Sequence, residues 1–387
     1  MKKLALITPR YGANVGAGAE VAARGFAESL TARGWHVEVW TTCVTSTVTW
    51  ENTLPAGTDI DNGVVVTRFP ITPGTYPDAS KKRTLELHSE AKLPPEYDWL
   101  IDGEHSPELY HHIAQHGDSF DIIMPKPYTF RPALYAVWIH PEKTMFWPCL
   151  HHEVHAYMEP IRLALERAAS VRFNSPEGQD LAINTLGFQL QNSVCISDGV
   201  QFQPLQQVET VTHSIPHLLY VGRLEQEKNV LEMYRFVQLY AENVGDIHLT
   251  IVGKGPITPP KLPYIDYRGF VSEQEKAELY TTSTAHWLPS ISESFSLVTM
   301  ESWLSGRPAL VNRDCYAPAG HVQRSKGGLA YRGFWELAGA VQWLHQNPHL
   351  ATRMGHNGKR YVEQNFTWPV ILDRFEAAVT EWIPSTQ

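Results

Sequence analysis

The stretch Leu288-Pro289-Ser290-Ile291-Ser292-Glu293-Ser294-Phe295-Ser296-Leu297-Val298-Thr299-Met300-Glu301, running on to Ser305-Gly306-Arg307-Pro308, decides how this chain folds. An apolar run stops at Pro289, a serine-rich loop follows, and helical spacing begins near Ser296. A strand feeding a helix through a short polar loop is the repeating unit of a parallel sheet with covered faces. Serine suits the start of that helix, because its oxygen accepts one of the amides the first turn leaves unpaired. Those amides and the positive end of the helix dipole suit an anionic group such as a phosphate. Glu301 lies inside the helix and Glu293 in the loop before it. Two carboxylates thus reach one place from different elements, each able to accept from a pair of hydroxyls. A plainer reading also fits: Glu301 faces solvent, and Ser294 or Ser296 merely caps.

The same alternation extends outward in both directions. In the first half, residues 4–8 read as a strand and 19–32 as a helix, which Gly34 ends before a strand at 37–42. Residues 64–69, 122–124, 145–149 and 170–173 continue the strand series. Residues 71–105 interrupt it with a polar, proline-bearing stretch that reads as an elaborated loop with short helices. The rhythm restarts after the polar stretch 201–214. Residues 218–221, 249–252, 265–268, 285–288 and 309–311 read as strands, and 230–241 as an amphipathic helix. Right-handed crossovers then place the loops that follow the strands on one side of each sheet. Two such units, joined near residue 205, are expected to leave a ligand cleft between them. There is no internal sequence repeat.

Composition narrows the choices. A chain of 387 residues is too long for one ordinary core, and 43% apolar with 19% charged residues describes a globular protein. A net charge of −9 disfavours nucleic acid as a partner, though a local basic patch can still hold a phosphate. The cysteines Cys43, Cys149, Cys195 and Cys315 are scattered, which predicts reduced thiols and neither a zinc cage nor a disulfide framework. The opening Met1-Lys2-Lys3-Leu4-Ala5-Leu6-Ile7-Thr8-Pro9-Arg10 reads as a first strand, its apolar run being too short for a leader. No run approaches the roughly 18 apolar residues of a membrane span, so the expected location is cytoplasmic. The basic residues near the start leave room for peripheral contact at the inner membrane face.

A second segment carries charge: Leu219-Tyr220-Val221-Gly222-Arg223-Leu224-Glu225-Gln226-Glu227-Lys228-Asn229. A strand delivers Gly222, where the backbone turns sharply, and two cations follow five residues apart. Cations set where negative charge grows in a transition state lower the barrier, and losing one costs about 2–4 kcal/mol in a desolvated site. Alternatively, Arg223 and Lys228 pair with Glu225 and Glu227 on a solvated turn.

Glu293-x7-Glu301 between a strand and a helix, Phe295 two residues after Glu293, and Gly306-Arg307-Pro308 downstream resemble the signature of glycosyltransferase family four. Gly222-Arg223-Leu224 followed by Lys228-Asn229 matches the same family at the corresponding place. The resemblance runs over nearly the whole chain and is more specific in its second half. It implies the GT-B fold: two Rossmann-like α/β domains facing each other across a cleft, with a C-terminal helix crossing back to the N-terminal domain. The boundaries expected are 1–204 for the acceptor-side domain, 205–368 for the nucleotide-sugar domain, and 369–387 for the returning helix. By residue-wise carry-over, Glu293 contacts donor-sugar hydroxyls and Glu301 the nucleotide ribose. The amides around Ser296, Leu297 and Val298 meet the diphosphate, and Arg223 and Lys228 counter its charge.

Weaker matches place further residues. Asn14-Val15-Gly16-Ala17-Gly18-Ala19-Glu20 resembles the family's Gly-Gly-x-Glu loop, with Ala17 where the first glycine stands and Gly18 as the retained one. As a dinucleotide fingerprint the segment fails, because Val21 occupies the last glycine position. Pro148-Cys149-Leu150-His151-His152-Glu153-Val154-His155 has zinc-like residue types but not the zinc-protease order, so no metal is expected. It resembles a Cys-Leu-His-Asp-Glu loop in which the first histidine, here His151, approaches the donor sugar. Gly269-Phe270-Val271-Ser272 resembles the loop that reads the base, which puts the base near Val271, and Gly253-Lys254-Gly255-Pro256 resembles a structural turn. Asp59-Ile60-Asp61 mimics a metal-binding Asp-x-Asp but precedes Asn62-Gly63, which predicts a turn. Glu104-His105-Ser106-Pro107-Glu108-Leu109 resembles a region of a bacterial subset and is placed on the acceptor side. Gln364-Asn365-Phe366-Thr367-Trp368 and the helix after it resemble the family's C-terminal crossing.

Together these imply a retaining, metal-independent, cofactor-free hexosyltransferase of the bacterial polysaccharide type. Its partners would be a nucleotide sugar, UDP-glucose by preference, and a sugar or lipid-linked glycan acceptor. The alternatives are an inactive sugar-nucleotide-binding protein and a GT-B-like epimerase or phosphorylase.

Overall fold

The computed structural model describes residues 2–13, 15–16, 18–47, 49–72, 99–100, 104–205 and 212–382. It separates into two compact units, Met1–Gly199 with Ile371–Gln387, and Val200–Val370.

In the first unit β1 (Lys3–Ile7), β2 (His36–Thr42), β3 (Gly57–Asp61), β4 (Val64–Phe69) and β5 (Ile122–Pro125) form a sheet in the order β3-β4-β2-β1-β5. Its pairings are parallel except β3 against β4. β6 (Met145–Phe146), β7 (Ser170–Phe173) and β8 (Ser193–Cys195) make a smaller parallel sheet, bridged to β5 through Ile123 and Thr144. Starting at β1, the chain steps one way to β2 and β4 and then returns to the other side of β1 at β5. Strand order therefore reverses between β1 and β5. The helix Trp368–Trp382 enters this unit from Ile371 onward and buries Ile371, Leu372, Phe375 and Val379. Phe375 packs edge-on against Phe26 at 5.1 Å, and Arg33 holds Asp373 at 2.6 Å and Glu376 at 2.9 Å.

Two sequence expectations need correction here. Asp59–Asp61 is not a turn but the end of edge strand β3, registered against Val64–Val66. The turn is Asn62-Gly63, with φ of 49° and 82°. That pair of positive φ values is the two-residue hairpin geometry that Asn-Gly favours. The strand expected over 145–149 stops at Phe146, because Pro148 has no amide to pair and Cys149 turns left-handed at φ 60°. Of the insertion, 73–98 and 101–103 lie outside the described residues. Its end is clamped by Arg131, which donates to the Glu104 carboxylate and, at 3.1 and 2.7 Å, to the Trp99 carbonyl.

The second unit is a six-stranded, wholly parallel sheet of β9 (His217–Val221), β10 (His248–Val252), β11 (Ile265–Gly269), β12 (Ala285–Leu288), β13 (Ala309–Asn312) and β14 (Gly328–Tyr331). The order β11-β10-β9-β12-β13-β14 reverses between β9 and β12. Leu218, Leu249, Ile251 and Trp287 build its core with Val230, Met233 and Val237 of the helix Val230–Asn243. Among the described residues no helix is long and apolar enough to cross a membrane.

Buried histidines make this unit acid-sensitive. His286 is fully buried on β12, and burial pushes its pKa down to about 4. His217 is pushed to about 4 by burial and then by His248 and His213. Both are neutral when folded and titrate near 6.5 when unfolded, so the unfolded chain binds more protons between these values and stability falls as pH drops from 6.5 toward 4. His286 alone carries on the order of 3 kcal/mol over that window. Thermal unfolding from pH 7 to 4 should show a steep fall in Tm, and a smaller one in His286→Phe; equal slopes would contradict this assignment.

Candidate active site

In a parallel α/β sheet, ligands collect at the carboxyl ends of the strands where strand order reverses. In the second unit that point is flanked by the loop after β9, which carries Arg223 and Lys228, and the loop after β12, which carries Glu293 and Ser296. The β9 loop is fastened to its neighbour by backbone: Gly222 donates to Val252 and Leu224 to Lys254, each at 3.0 Å. The approach is close enough that a Cβ on Gly253, where φ is 129°, would sit 1.9 Å from the Gly222 carbonyl oxygen. The Tyr220 hydroxyl donates to the Arg223 carbonyl at 2.6 Å, and burial pushes that hydroxyl's pKa up. Asn229 turns left-handed at φ 56° and donates to Glu232 at 2.9 Å and to the Pro289 carbonyl at 3.3 Å. It thereby ties the two loops together.

Lys228 and Glu293 meet across this junction. The ammonium donates to the Glu293 carboxylate at 2.6 Å, with side chains only 19% and 15% exposed. Arg223 is different: its guanidinium is half exposed and lies 2.7 Å from Glu225. The solvated-turn reading thus fits Arg223 in part and fails for Lys228. Within the β12 loop, the hydroxyls of Ser290 and Ser292 are buried and meet no partner among the described residues. Phe295 is buried against His321 and Phe366, ring centroids 5.2 and 5.1 Å apart, and anchors the loop. Arg307 donates to the Thr281 carbonyl at 2.8 Å and is buried, so Gly306-Arg307-Pro308 is a packing element.

Ser296 does not cap as the sequence suggested. Its backbone is left-handed at φ 79°, away from the extended form of capping serines, and its hydroxyl meets Thr299 Oγ1 at 2.9 Å. The first turn of the helix Leu297–Leu304, with Leu297 and Val298, receives nothing from that side chain. Glu301 does not face solvent either. One oxygen takes the Lys276 ammonium at 3.2 Å and the other the Tyr280 hydroxyl at 3.1 Å. Burial raises the Glu301 pKa and Lys276 opposes the rise. Lys276 and Tyr280 were missed in the sequence, although their i, i+4 spacing on the helix Glu273–Thr282 puts them on one face. Val271, just after β11, packs with Leu219, Val221, Val252 and Tyr280, and Val298 joins the same cluster. Phe270 beside it is exposed, with the Lys254 ammonium 5.0 Å from its ring.

The first unit holds the remaining residues. Gly18 opens the helix Gly18–Ala32, whereas Asn14 and Ala17 lie outside the described residues. Glu20 is buried and bound by Arg10, which also donates to the Thr45 carbonyl. His151 places Nδ1 2.9 Å from the Cys149 carbonyl and Nε2 3.8 Å from Glu153. Glu153 is the hub of this loop: the Tyr128 hydroxyl donates to it, and His155 Nδ1 lies 3.3 Å away. Burial opposes its ionisation, yet His151 and His155 hold its pKa down at about 2. His152 turns to the Tyr157 hydroxyl instead, so the three imidazoles do not converge on one point.

Two sheets, one mainly and one wholly parallel, with helical crossovers and reversed strand order make this a two-unit protein of Rossmann-like α/β architecture. Residues 215–347, within the second unit, match the family model of glycosyl transferases group 1. Among curated proteins, trehalose synthase of Rubrobacter xylanophilus is 28% identical over 177 residues, 41% of each chain. The capsular polysaccharide biosynthesis glycosyltransferase CapM of Staphylococcus aureus is 21% identical over 224 residues, 53% of this chain and 57% of its own. The matched stretches thus span about half the length of these relatives. Among solved structures, sucrose-phosphate synthase from Thermosynechococcus elongatus superposes with a TM-score of 0.75 at 18% identity, covering 98% of this chain and 99% of the other. HepE of Anabaena, in complex with UDP-glucose, gives 0.68 at 14%, covering 98% and 100%. Both likenesses are of fold, and the fold is GT-B.

Lys276→Met should leave the Glu301 carboxylate buried without its cation, at a cost of roughly 3 kcal/mol. Protonation relieves that cost. The folded state then holds the proton more tightly than the unfolded chain, and stability falls as pH rises from 4.5. Urea unfolding should show the variant far weaker than wild type at pH 8 and closer to it at pH 5. An equal deficit at both would reject the pairing. Gly253→Ala should lower the urea midpoint by the equivalent of at least about 2 kcal/mol, through the clash with Gly222.

Proposed function

We propose that this chain is a retaining, metal-independent hexosyltransferase that moves a hexose from a nucleotide diphosphate sugar, UDP-glucose foremost, to a hydroxyl of a sugar or lipid-linked glycan. The observation that carries the reading is the Lys228–Glu293 pair between the β9 and β12 loops, where strand order reverses. An ammonium has three protons, so Lys228 can keep Glu293 and still donate to a phosphate oxygen. Arg223, half exposed on the same loop, would exchange its pair with Glu225 for the other phosphate. Glu293, oriented by Lys228, accepts from donor-sugar hydroxyls, and Glu301, held by Lys276 and Tyr280, accepts from the ribose. The amides at Ser296, Leu297 and Val298 receive the diphosphate, and backbone at Val271 reads the base. Gly18 and His151 serve the donor from the first unit.

In the reaction the anomeric carbon–phosphate oxygen bond breaks, and its electron pair leaves with the nucleoside diphosphate. The acceptor oxygen bonds to the same face of that carbon, and its proton passes to the departing phosphate. Two cations offset the charge that accumulates there, which is the work a metal ion does in other designs. Two similar proteins support the reading: CapM is named for capsular polysaccharide biosynthesis, and HepE was solved with UDP-glucose.

Transfer from UDP-glucose should survive EDTA. Lys228→Ala and Arg223→Ala should each cut kcat/KM by about 30- to 1,000-fold, the equivalent of losing ~2–4 kcal/mol of transition-state stabilisation. UDP at about 100 times its Kd should stabilise the protein by ~2.7 kcal/mol. UDP binding with neither transfer nor donor hydrolysis would replace this reading by the non-catalytic one, and strict metal dependence would remove the metal-independent mechanism.

A further inference from the structure

The helix Tyr316–Ser325 leaves the carboxyl end of β13 and returns to the start of β14, so its last residues lie at the amino edge of the second unit's sheet, opposite the loops of the candidate active site. There an open groove of about 230 Å³ is lined by the exposed Arg324, Lys326 and Arg360, by Ser325, Asn357, Tyr361 and Gln364, and by no acidic residue. Three cations gathered along one groove create a local positive potential that draws anions to it. That potential is all the more telling in a chain whose net charge is −9.

Two details show that the cluster is held in place. Arg324 is steered by the Tyr361 hydroxyl at 3.2 Å and by His321 Nδ1 at 3.3 Å, and Arg360 donates to Asn357 Oδ1 at 2.6 Å. Lys326 occupies the left-handed residue that ends the helix, at φ 53°, where glycine would fit without strain. A helix dipole accounts for a cation at Arg324, near a helix carboxyl end, but not for Arg360 inside the helix Pro348–Asn365. Among the described residues neither Lys326 nor Arg360 makes an ion pair.

We propose that Arg324, Lys326 and Arg360 form a second anion site that takes a phosphate group, presented either by an anionic lipid head or by a soluble phosphate ester. Fork-shaped guanidiniums and a point-charge ammonium are suited to tetrahedral phosphate. The proposal stands independently of the glycosyltransfer reading, since it concerns the other edge of the sheet.

Inorganic phosphate binding, followed by calorimetry, tests it with wild type, Lys228→Ala and the double reversal Lys326→Glu/Arg360→Glu. All three should melt alike within a few degrees except for the weak effects of surface charge. Wild type and Lys228→Ala should bind phosphate, with the reversal at least tenfold weaker. Flotation with phosphatidylcholine vesicles, with and without phosphatidylglycerol, separates the sources. Salt-sensitive flotation on the anionic vesicles alone, lost in the reversal, assigns the lipid head; phosphate binding without flotation assigns a soluble ester. No binding by wild type, or binding lost in Lys228→Ala but intact in the reversal, would overturn the proposal.

Discussion

One ion pair organises the second unit's candidate site. Lys228 and Glu293 sit 65 positions apart in the chain, on loops that leave adjacent parallel strands, and they meet at 2.6 Å with little exposure. A pair so placed is neither a surface ornament nor a sealed core charge. It is shielded enough for the Coulomb term to count and open enough for a ligand to reach it. The surrounding features maintain that separation. Tyr220 fixes the β9 loop from below, Asn229 binds it to Pro289, and Phe295 roots the β12 loop in an aromatic cluster. Loosening any of these changes where the two charges stand.

A common arrangement recurs at three other carboxylates, one in the second unit and two in the first. Glu301, Glu153 and Glu20 are each removed from water and each held by a cation, or by a group able to become one, from elsewhere in the chain. The partners differ in consequence. Lys276 supports an acid whose burial favours protonation, whereas two imidazoles keep Glu153 firmly ionised. A carboxylate with two fixed donors has little freedom to turn.

The sequence made the architecture legible because strand-to-helix alternation is local. Leu288 to Glu301 shows a strand, a loop and a helix within fourteen letters. What it concealed was non-local or conformational. Nothing in the letters says that Lys276 turns toward Glu301, since that depends on how two helices pack. Ser296 looked like a cap by residue type, but its left-handed backbone sends the hydroxyl to Thr299. β8 is three residues long, too short for a periodic signal, and β14 opens on Gly328, which reads as a turn. Asp59–Asp61 was read as a turn because two acids beside Asn-Gly outweigh a five-residue edge strand that is mostly exposed.

The discontinuity of the first unit has a bearing on its birth. Phe26 and Trp35 lie near the start of the chain, and the surface that covers them begins at Ile371. During synthesis these aromatics lack this part of their cover until the segment from Ile371 has been made, while the second unit, contiguous in sequence, has every part it requires by Val370. The unit begun first is therefore completed after the other, and its partly covered aromatics stay open to non-native contacts for that interval.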